Sequence, residues 1–394
     1  MRYLYGLFFL LLPAALARGQ SAEVRRALVF PVQARHVHAS SLVELPGGDL
    51  LMAWFEGSGE RTADDVRIRG ARLRRGETTW SPPFELADTP GLPDCNPVLF
   101  LNGRGTLFLV WIAVQANRWE QSILRVRTST DPAGPGAPVW TWQDNILLKP
   151  DARFADAVRT GLGQLPERQA GWAGYAPAYD EQIIAASQDP MKRSLGWMTR
   201  IKPLRLPSGR LVLPLYSDGF NLALMALSDD DGSTWRASGP LVGRGPIQPA
   251  LGRRRDGTLV AHLRDSGDPP GRVQRSESAD DGESWSPAVR TTLPNTASVE
   301  VLPLRDGRWV LVGNDVADGR YRLSLYLSAD EGRTWQPALR LEDHPPAPKS
   351  GYSYPALIQT TDGLLHLSYS AHGAPDQKSI RHVVLDPARL VARP

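Results

Sequence analysis

The sequence predicts an all-β fold, a six-bladed β-propeller of four-stranded antiparallel sheets, and two repeats carry the prediction. One segment is written three times, as Ser228-Asp229-Asp230-Asp231-Gly232-Ser233-Thr234-Trp235, Ser278-Ala279-Asp280-Asp281-Gly282-Glu283-Ser284-Trp285 and Ser328-Ala329-Asp330-Glu331-Gly332-Arg333-Thr334-Trp335, with starts 50 residues apart. A fixed period of that size marks stacked supersecondary units. In each copy Ser and Asp can bond nearby backbone N–H groups, Gly supplies a position with φ > 0, and Trp can plug the gap behind the turn. The segment therefore reads as a structural hairpin staple. The second repeat is an apolar strand, a Gly-containing turn and another apolar strand, at Gly47, Gly105, Gly209, Gly257, Gly307 and Gly363. Such turns between alternating hydrophobics signal hairpins, and six of them imply six sheets.

In chain order, residues 1–17 start with Met1-Arg2, continue as an apolar run and end in Ala15-Leu16-Ala17, the order of a secretory signal. Export to the periplasm or the medium is expected. The run is short for a bilayer span, and no later stretch is long and apolar enough to be one. Residues 27–386 form one propeller domain in this reading, because each blade adds its own layer. Most intervals between Gly turns are 48 to 57 residues, but Gly105 to Gly209 spans 104 and contains an insertion at about 150–197. That insertion reads as a long loop with one short helix, either a wall of a binding site or a surface elaboration. Worn copies of the staple stand at Gly76-Glu77-Thr78-Thr79-Trp80 and at Ser129-Thr130-Asp131 with Trp140. Strands at Ala27-Leu28-Val29-Phe30 and Ile380-Arg381-His382-Val383-Val384-Leu385 are expected to share one blade and close the ring.

Charge and composition exclude several partners. The formal charge is +3, from 45 basic and 42 acidic residues. No basic block is interleaved with stacking aromatics, so nucleic acid is not an expected partner. The single Cys95 allows no internal disulfide. No HxxxH, CxxC or clustered carboxylate pattern calls for a metal, and no cofactor is expected.

The staples and the six Gly turns resemble the Asp-box (BNR) repeats of the sialidase, or neuraminidase, superfamily. The resemblance implies a propeller that grips the carboxylate of a terminal acidic sugar with arginines, attacks with a tyrosine paired to a glutamate, and uses an aspartate as acid/base. Guanidinium forks suit carboxylates, and a Tyr nucleophile avoids the repulsion between a carboxylate and an anionic sugar. Carried onto this sequence, the resemblance puts Arg264 and Arg320 at the second and third arginines, with Arg322 in reserve. It puts Tyr352 of Gly351-Tyr352-Ser353-Tyr354-Pro355 at the nucleophile, with Tyr354 at the same strand parity. The acid/base is matched by Asp65, Asp64 being the turn residue beside it.

Two positions depart from the family pattern. His38 stands where the first arginine belongs, and Arg35 could replace it only through a shifted strand. Gln248 stands where the glutamate belongs, and Gln cannot act as a general base. Glu300 on the next blade is the available acidic replacement. The leading expectation is an exo-glycosidase for a sialic acid or related acidic sugar, with Asp65, Tyr352 and Glu300 catalytic and Arg264, Arg320, His38, Gln248 and Tyr354 binding substrate. The alternatives are a polysaccharide lyase or a glycosidase using His38, which shares a strand face with His36, and a glycan-binding propeller without catalysis.

Overall fold

The structure is a computed structural model that describes residues 25–166, 179–346, 350–374 and 376–392. The expected export signal at 1–17 lies outside the described residues. Strand β1 (Arg25–Leu28) precedes blade 1, formed by β2 (His36–Glu44), β3 (Leu50–Gly57), β4 (Arg67–Leu73) and β5 (Phe84–Ala87). Blade 2 is β6 (Asp94–Leu101), β7 (Leu107–Ala113), β8 (Ile123–Ser129) and β9 (Trp142–Asn145). In blade 3 the inner strand is split into β10 (Met198–Thr199) and β11 (Leu204–Arg205), both paired with β12 (Leu211–Ser217), followed by β13 (Leu222–Ser228) and β14 (Arg236–Ala237).

Blade 4 is β15 (Pro246–Arg253), β16 (Leu259–Asp265), β17 (Arg272–Ser278) and β18 (Val289–Pro294). Blade 5 is β19 (Glu300–Pro303), β20 (Trp309–Gly313), β21 (Arg322–Ser328) and β22 (Gln336–Asp343). Blade 6 takes β23 (Gly351–Gln359), β24 (Leu365–Ala374) and β25 (Gln377–Leu385), and β1 completes it by pairing Arg25 with Val384 through Leu28 with Arg381. The six-bladed antiparallel propeller expected from the repeats is the fold. Closing one sheet with both ends of the chain satisfies an edge that would otherwise be open.

The Asp-boxes act through their side chains. Gly232 N–H donates to Ser228 Oγ at 2.8 Å, while Asp230 accepts from Thr234 N at 2.8 Å and from Thr234 Oγ1 at 2.6 Å. The same bonds recur around Asp280 and Asp330. Trp80, the remnant of the box in blade 1, donates its indole N–H to His382 Nδ1 at 3.4 Å, and His382 Nε2 meets His366 Nδ1 at 3.0 Å. Because Nδ1 of His382 accepts, its proton sits on Nε2, and the pair is neutral.

Five of the seven histidines are held neutral by burial. Burial holds His262 and His382 down to about 3 and His372 to about 4, and lowers His38 and His366 as well. Each binds a proton in the unfolded chain below about 6.5 but not in the native state, so native stability falls as pH drops through that value. The slope reaches about 1.4 kcal/mol per pH unit for each such histidine. The urea midpoint is expected to fall steeply between pH 7 and 5 and to stay level from pH 7 to 8. A level profile down to pH 5 would contradict this account.

The insertion is more ordered than expected: it contains α1 (Ala152–Gly163), α2 (Tyr179–Gln188) and α3 (Pro190–Ser194) rather than a loop with one helix. Asp151 caps α1 by accepting from Arg153 N, and Asp189 caps α3 with Pro190 at its first position. Phe154, Val158 and Leu162, four residues apart, form the buried face of α1. Phe154 meets Trp197 and Phe220 at ring distances of 5.9 and 5.5 Å, which docks the insertion beside the loop that follows β12. That loop is part of the rim described next.

Candidate functional site

Four inner strands carry the same irregularity at the propeller axis. Register shifts fall at His38/Ser41, Cys95/Val98, Ile247/Ala250 and Ser353/Ala356. At each shift one non-Gly residue has φ > 0: Ala39 at 53°, Asn96 at 50°, Gln248 at 55° and Tyr354 at 58°. A bulge inserts one residue and re-aims the chain, and a non-Gly residue held there costs about 1–3 kcal/mol, so such positions cluster where function needs them. In three of the four a proline follows, Pro97, Pro249 and Pro355, which a strand tolerates at a bulge.

The bulges make Asn96, Gln248 and Tyr354 converge. Gln248 Nε2 donates to Tyr354 Oη at 3.1 Å, Arg264 donates to the same oxygen at 3.2 Å, and Asn96 Nδ2 donates to Tyr216 Oη at 3.1 Å. His38 stacks on the Tyr354 ring at 4.1 Å, and the guanidinium carbons of Arg200 and Arg320 lie 4.8 and 5.5 Å from its centre. Arg320 also donates to Ser353 Oγ at 3.4 Å. A cavity of about 460 Å³ opens above this group, lined by Tyr354, Arg264, Gln248, Tyr216, Glu60, Arg61, Trp119, Asp218 and Asn221 among others. Its volume is that of a small-ligand site.

Several expected residues sit elsewhere. Tyr352 turns away from the cavity into the seam of blades 5 and 6, where it stacks on His344 at 4.9 Å and lies 6.4 Å from Tyr369. The bulge at Ser353/Ala356 is the reason: it breaks the alternation by which Tyr352 and Tyr354 would share a face. Asp65 is an exposed loop residue that accepts from Ser58 N at 2.8 Å, Ser58 Oγ at 2.6 Å and Arg35 at 3.0 Å. The Ser58 bonds first, and Arg35 with them, hold its carboxyl down to about 2. Asp64 accepts from Asn117 at 2.7 Å. Glu300 is buried and paired with Lys202 at 2.9 Å, with no bond to a tyrosine among the described residues.

His38 is 4% exposed, its Nδ1 lies 2.7 Å from Ser370 Oγ, and it backs the phenol without lining the cavity. Arg322 pairs outward with Asp343 at 2.9 Å, leaving Arg320 as the arginine beside Tyr354. Of the expected group, Arg264, Arg320, Gln248, His38 and Tyr354 are brought together; Asp65, Glu300 and Tyr352 are not.

Residues not singled out from the sequence complete the site. Glu60 lines the cavity 3.4 Å from His36 Nε2. Burial pushes its carboxyl up, but His36 and Arg61 outweigh burial and leave it below the usual range. Arg61 crosses the rim to Asp218 at 2.7 Å and stacks over Trp119 at 4.1 Å. Arg200 comes from the break in the inner strand of blade 3, at Arg200-Ile201-Lys202-Pro203. It is 2% exposed and donates to the carbonyls of Ser40 and Pro355 at 3.2 and 2.9 Å, so it ties blades 1, 3 and 6 together beneath Tyr354. Burial lowers its guanidinium to about 10. Among the described residues no group of His, Cys, Asp and Glu could hold a metal ion, and no helix is long and apolar enough to cross a membrane.

Solved structures share this architecture at low identity. A protein of unknown function from Dyadobacter fermentans superposes with a TM-score of 0.65 at 15% identity, over 92% of this chain and 99% of that one. The Hadza microbial sialidase Hz136 gives 0.63 at 17% identity, over 91% and 69%. The leech intramolecular trans-sialidase gives 0.65 at 14%, over 95% and 71%. At these identities the likeness is one of fold. No curated protein sequence matches the chain. The profile of the BNR repeat-like domain matches residues 48–200 and 194–367, which include the three Asp-boxes, five of the six Gly turns and the cavity wall. The chain therefore belongs to the BNR repeat-like family.

Proposed function

We propose that the protein is a sialidase-like exo-glycosidase that releases a terminal sialic acid or related acidic sugar from a glycan by a retaining mechanism, with Tyr354 as nucleophile. The observation that supports this most is the Tyr354 hydroxyl at the cavity, fixed between Arg264 at 3.2 Å and Gln248 at 3.1 Å. A cation on the attacking oxygen's own hydrogen-bond shell is where the carboxylate of an acidic sugar would be drawn, and Arg320 adds a second. Tyr354 Oη attacks the anomeric carbon as the bond to the leaving oxygen breaks, giving a glycosyl-tyrosine that water then cleaves. Glu60 replaces Asp65 as the group that protonates the leaving oxygen; because His36 and Arg61 hold its carboxyl below the usual range, it takes up that proton from solvent only under acidic conditions, where release is expected to be fastest. The phenol proton passes to water, because the amide of Gln248 cannot take it. The reading includes export, on the strength of residues 1–17.

Release of free acidic sugar from a panel of sialosides and uronic-acid glycosides, followed by mass spectrometry, tests this directly; no release from any of them defeats it. Glu60→Gln is expected to slow natural glycosides by about 10²–10⁴-fold and aryl glycosides, whose leaving groups need no proton, by far less. Equal losses on both would remove Glu60 from the proton-donor role. Gln248 favours one second reading: a tyrosine with no partner base suits a propeller that binds the acidic glycan without turning it over. Saturable binding with no product in the same panel would establish that reading. Lyase or histidine-dependent chemistry gains no support from His38, which lies behind the phenol.

A further inference from the structure

We propose a second glycan-binding site, in the seam between blades 4 and 5, that takes a sugar unit carrying an oxyanion. A cleft of about 310 Å³ lies there, between Arg275 and Thr291 of blade 4 and Arg333, Thr334 and Trp335 of the Asp-box in blade 5, with His262 in its wall. It is separate from the axial cavity, which is built at the strand ends carrying Gln248 and Arg264, whereas the Asp-boxes and Gly turns occupy the opposite ends.

His262 is the observation that asks for a ligand. It is fully buried, and among the described residues neither ring nitrogen makes a well-formed hydrogen bond; the Gly332 backbone offers only a weak polar contact that does not offset burial. The sister boxes meet hydrocarbon at the comparable contact: Gly232 backs onto Phe108, and Gly282 onto Val212, Leu227 and Leu259. Gly332 instead backs onto Trp309 and His262. A buried polar group without a partner costs about 1–3 kcal/mol, so an imidazole where the repeat elsewhere uses hydrocarbon calls for a compensating role.

The surrounding groups define the chemistry. Arg275 stands 3.6 Å from Glu277, and Arg333 stands 3.8 Å from both Asp256 and Glu331, beyond good hydrogen-bond distance, so each keeps donors to offer; Arg333 also donates to the Asp330 carbonyl at 3.0 Å. Arg290 differs, for it is bound at 2.7 Å to the buried Asp265 and anchors the wall. Loosely held guanidinium groups suit a carboxylate or sulfate. A neutral imidazole, with one donor and one acceptor, suits a hydroxyl. The Trp335 ring, set edge-on to His262 at 5.3 Å, presents an apolar surface to ring carbons. A sugar with an attached carboxylate or sulfate meets all three.

The test uses the full chain carrying Arg264→Ala, which silences the axial cavity, titrated calorimetrically with a uronate disaccharide, a sulfated disaccharide and inorganic sulfate. One of the two saccharides is expected to saturate a single site, and the one that does identifies the oxyanion. Adding Arg275→Gln and Arg333→Gln should weaken that binding by about tenfold or more. His262→Phe should weaken it while leaving the urea midpoint unchanged or raised. In protein with an intact Arg264, the Arg275 and Arg333 substitutions should leave acidic-sugar release as it was, so failure here is distinguishable from failure at the axial cavity. Absence of binding in the Arg264→Ala protein, binding indifferent to the arginine substitutions, or inorganic sulfate binding as tightly as the saccharide would each overturn the proposal.

Discussion

Tyr354→Phe is expected to lower release of acidic sugar by at least about 10³-fold, the scale on which loss of a nucleophile acts, while Tyr352→Phe leaves the rate within a few-fold. The substitution removes one oxygen and leaves the ring, so the stack on His38 and the contacts with Arg200 and Arg320 persist. It does orphan the donors of Gln248 and Arg264, at about 1–3 kcal/mol of stability. Folding survives that loss in an ordinary domain, so inactivity would report chemistry rather than unfolding. Steady-state rates with circular dichroism spectra of both variants check it. Matching losses in the two tyrosine variants would remove the assignment.

Gln248→Glu is expected to move activity the other way, by about 10²–10⁴-fold in kcat, because it puts a base at the phenol. The amide now donates to Tyr354 Oη at 3.1 Å; a carboxylate in its place must accept the phenol hydrogen, reversing the bond and helping the proton away as the oxygen attacks. Gln248 is 1% exposed, and a buried carboxylate is costly alone. Here Arg264 shares its partner Tyr354, and Arg200 and Arg320 flank the same ring, so the new charge is not isolated. Single-turnover rates on one sialoside would show the gain. No gain, with the fold intact, would favour binding without turnover.

The ring was legible because it is written in local chemistry: Ser, Asp and Gly at fixed offsets make a staple wherever they occur, and a period of 50 residues repeats it. The site was only half legible. Arg264, Arg320 and Gln248 follow from their spacing to the neighbouring Gly turns and Asp-boxes in the family pattern, whereas that pattern points to Tyr352 and, with parity unbroken through Ser353-Tyr354-Pro355, would leave Tyr352 and Tyr354 on one face. Proline inside an apolar strand is the signal that it does not, and Asn96-Pro97, Gln248-Pro249 and Tyr354-Pro355 all carry it. Glu60 and Asp65 lie on one loop, and which of them faces the cavity depends on Ser58 capturing Asp65, a contact that spacing does not reveal. In the insertion, Asp151 and the run Phe154, Val158, Leu162 marked a capped amphipathic helix, obscured by Gly161 and Gly163. Gly161 is there because a Cβ would stand 2.7 Å from Val242.

Isothermal titration of N-acetylneuraminic acid and its methyl ester into the wild-type chain and Arg264→Ala measures whether the axial cavity recognises a carboxylate. With the cleft between blades 4 and 5 disabled by Arg275→Gln and Arg333→Gln in both proteins, the account predicts one site that prefers the acid to the ester by about tenfold or more, with the preference lost in Arg264→Ala. Equal binding of acid and ester, or a preference indifferent to Arg264, would contradict it.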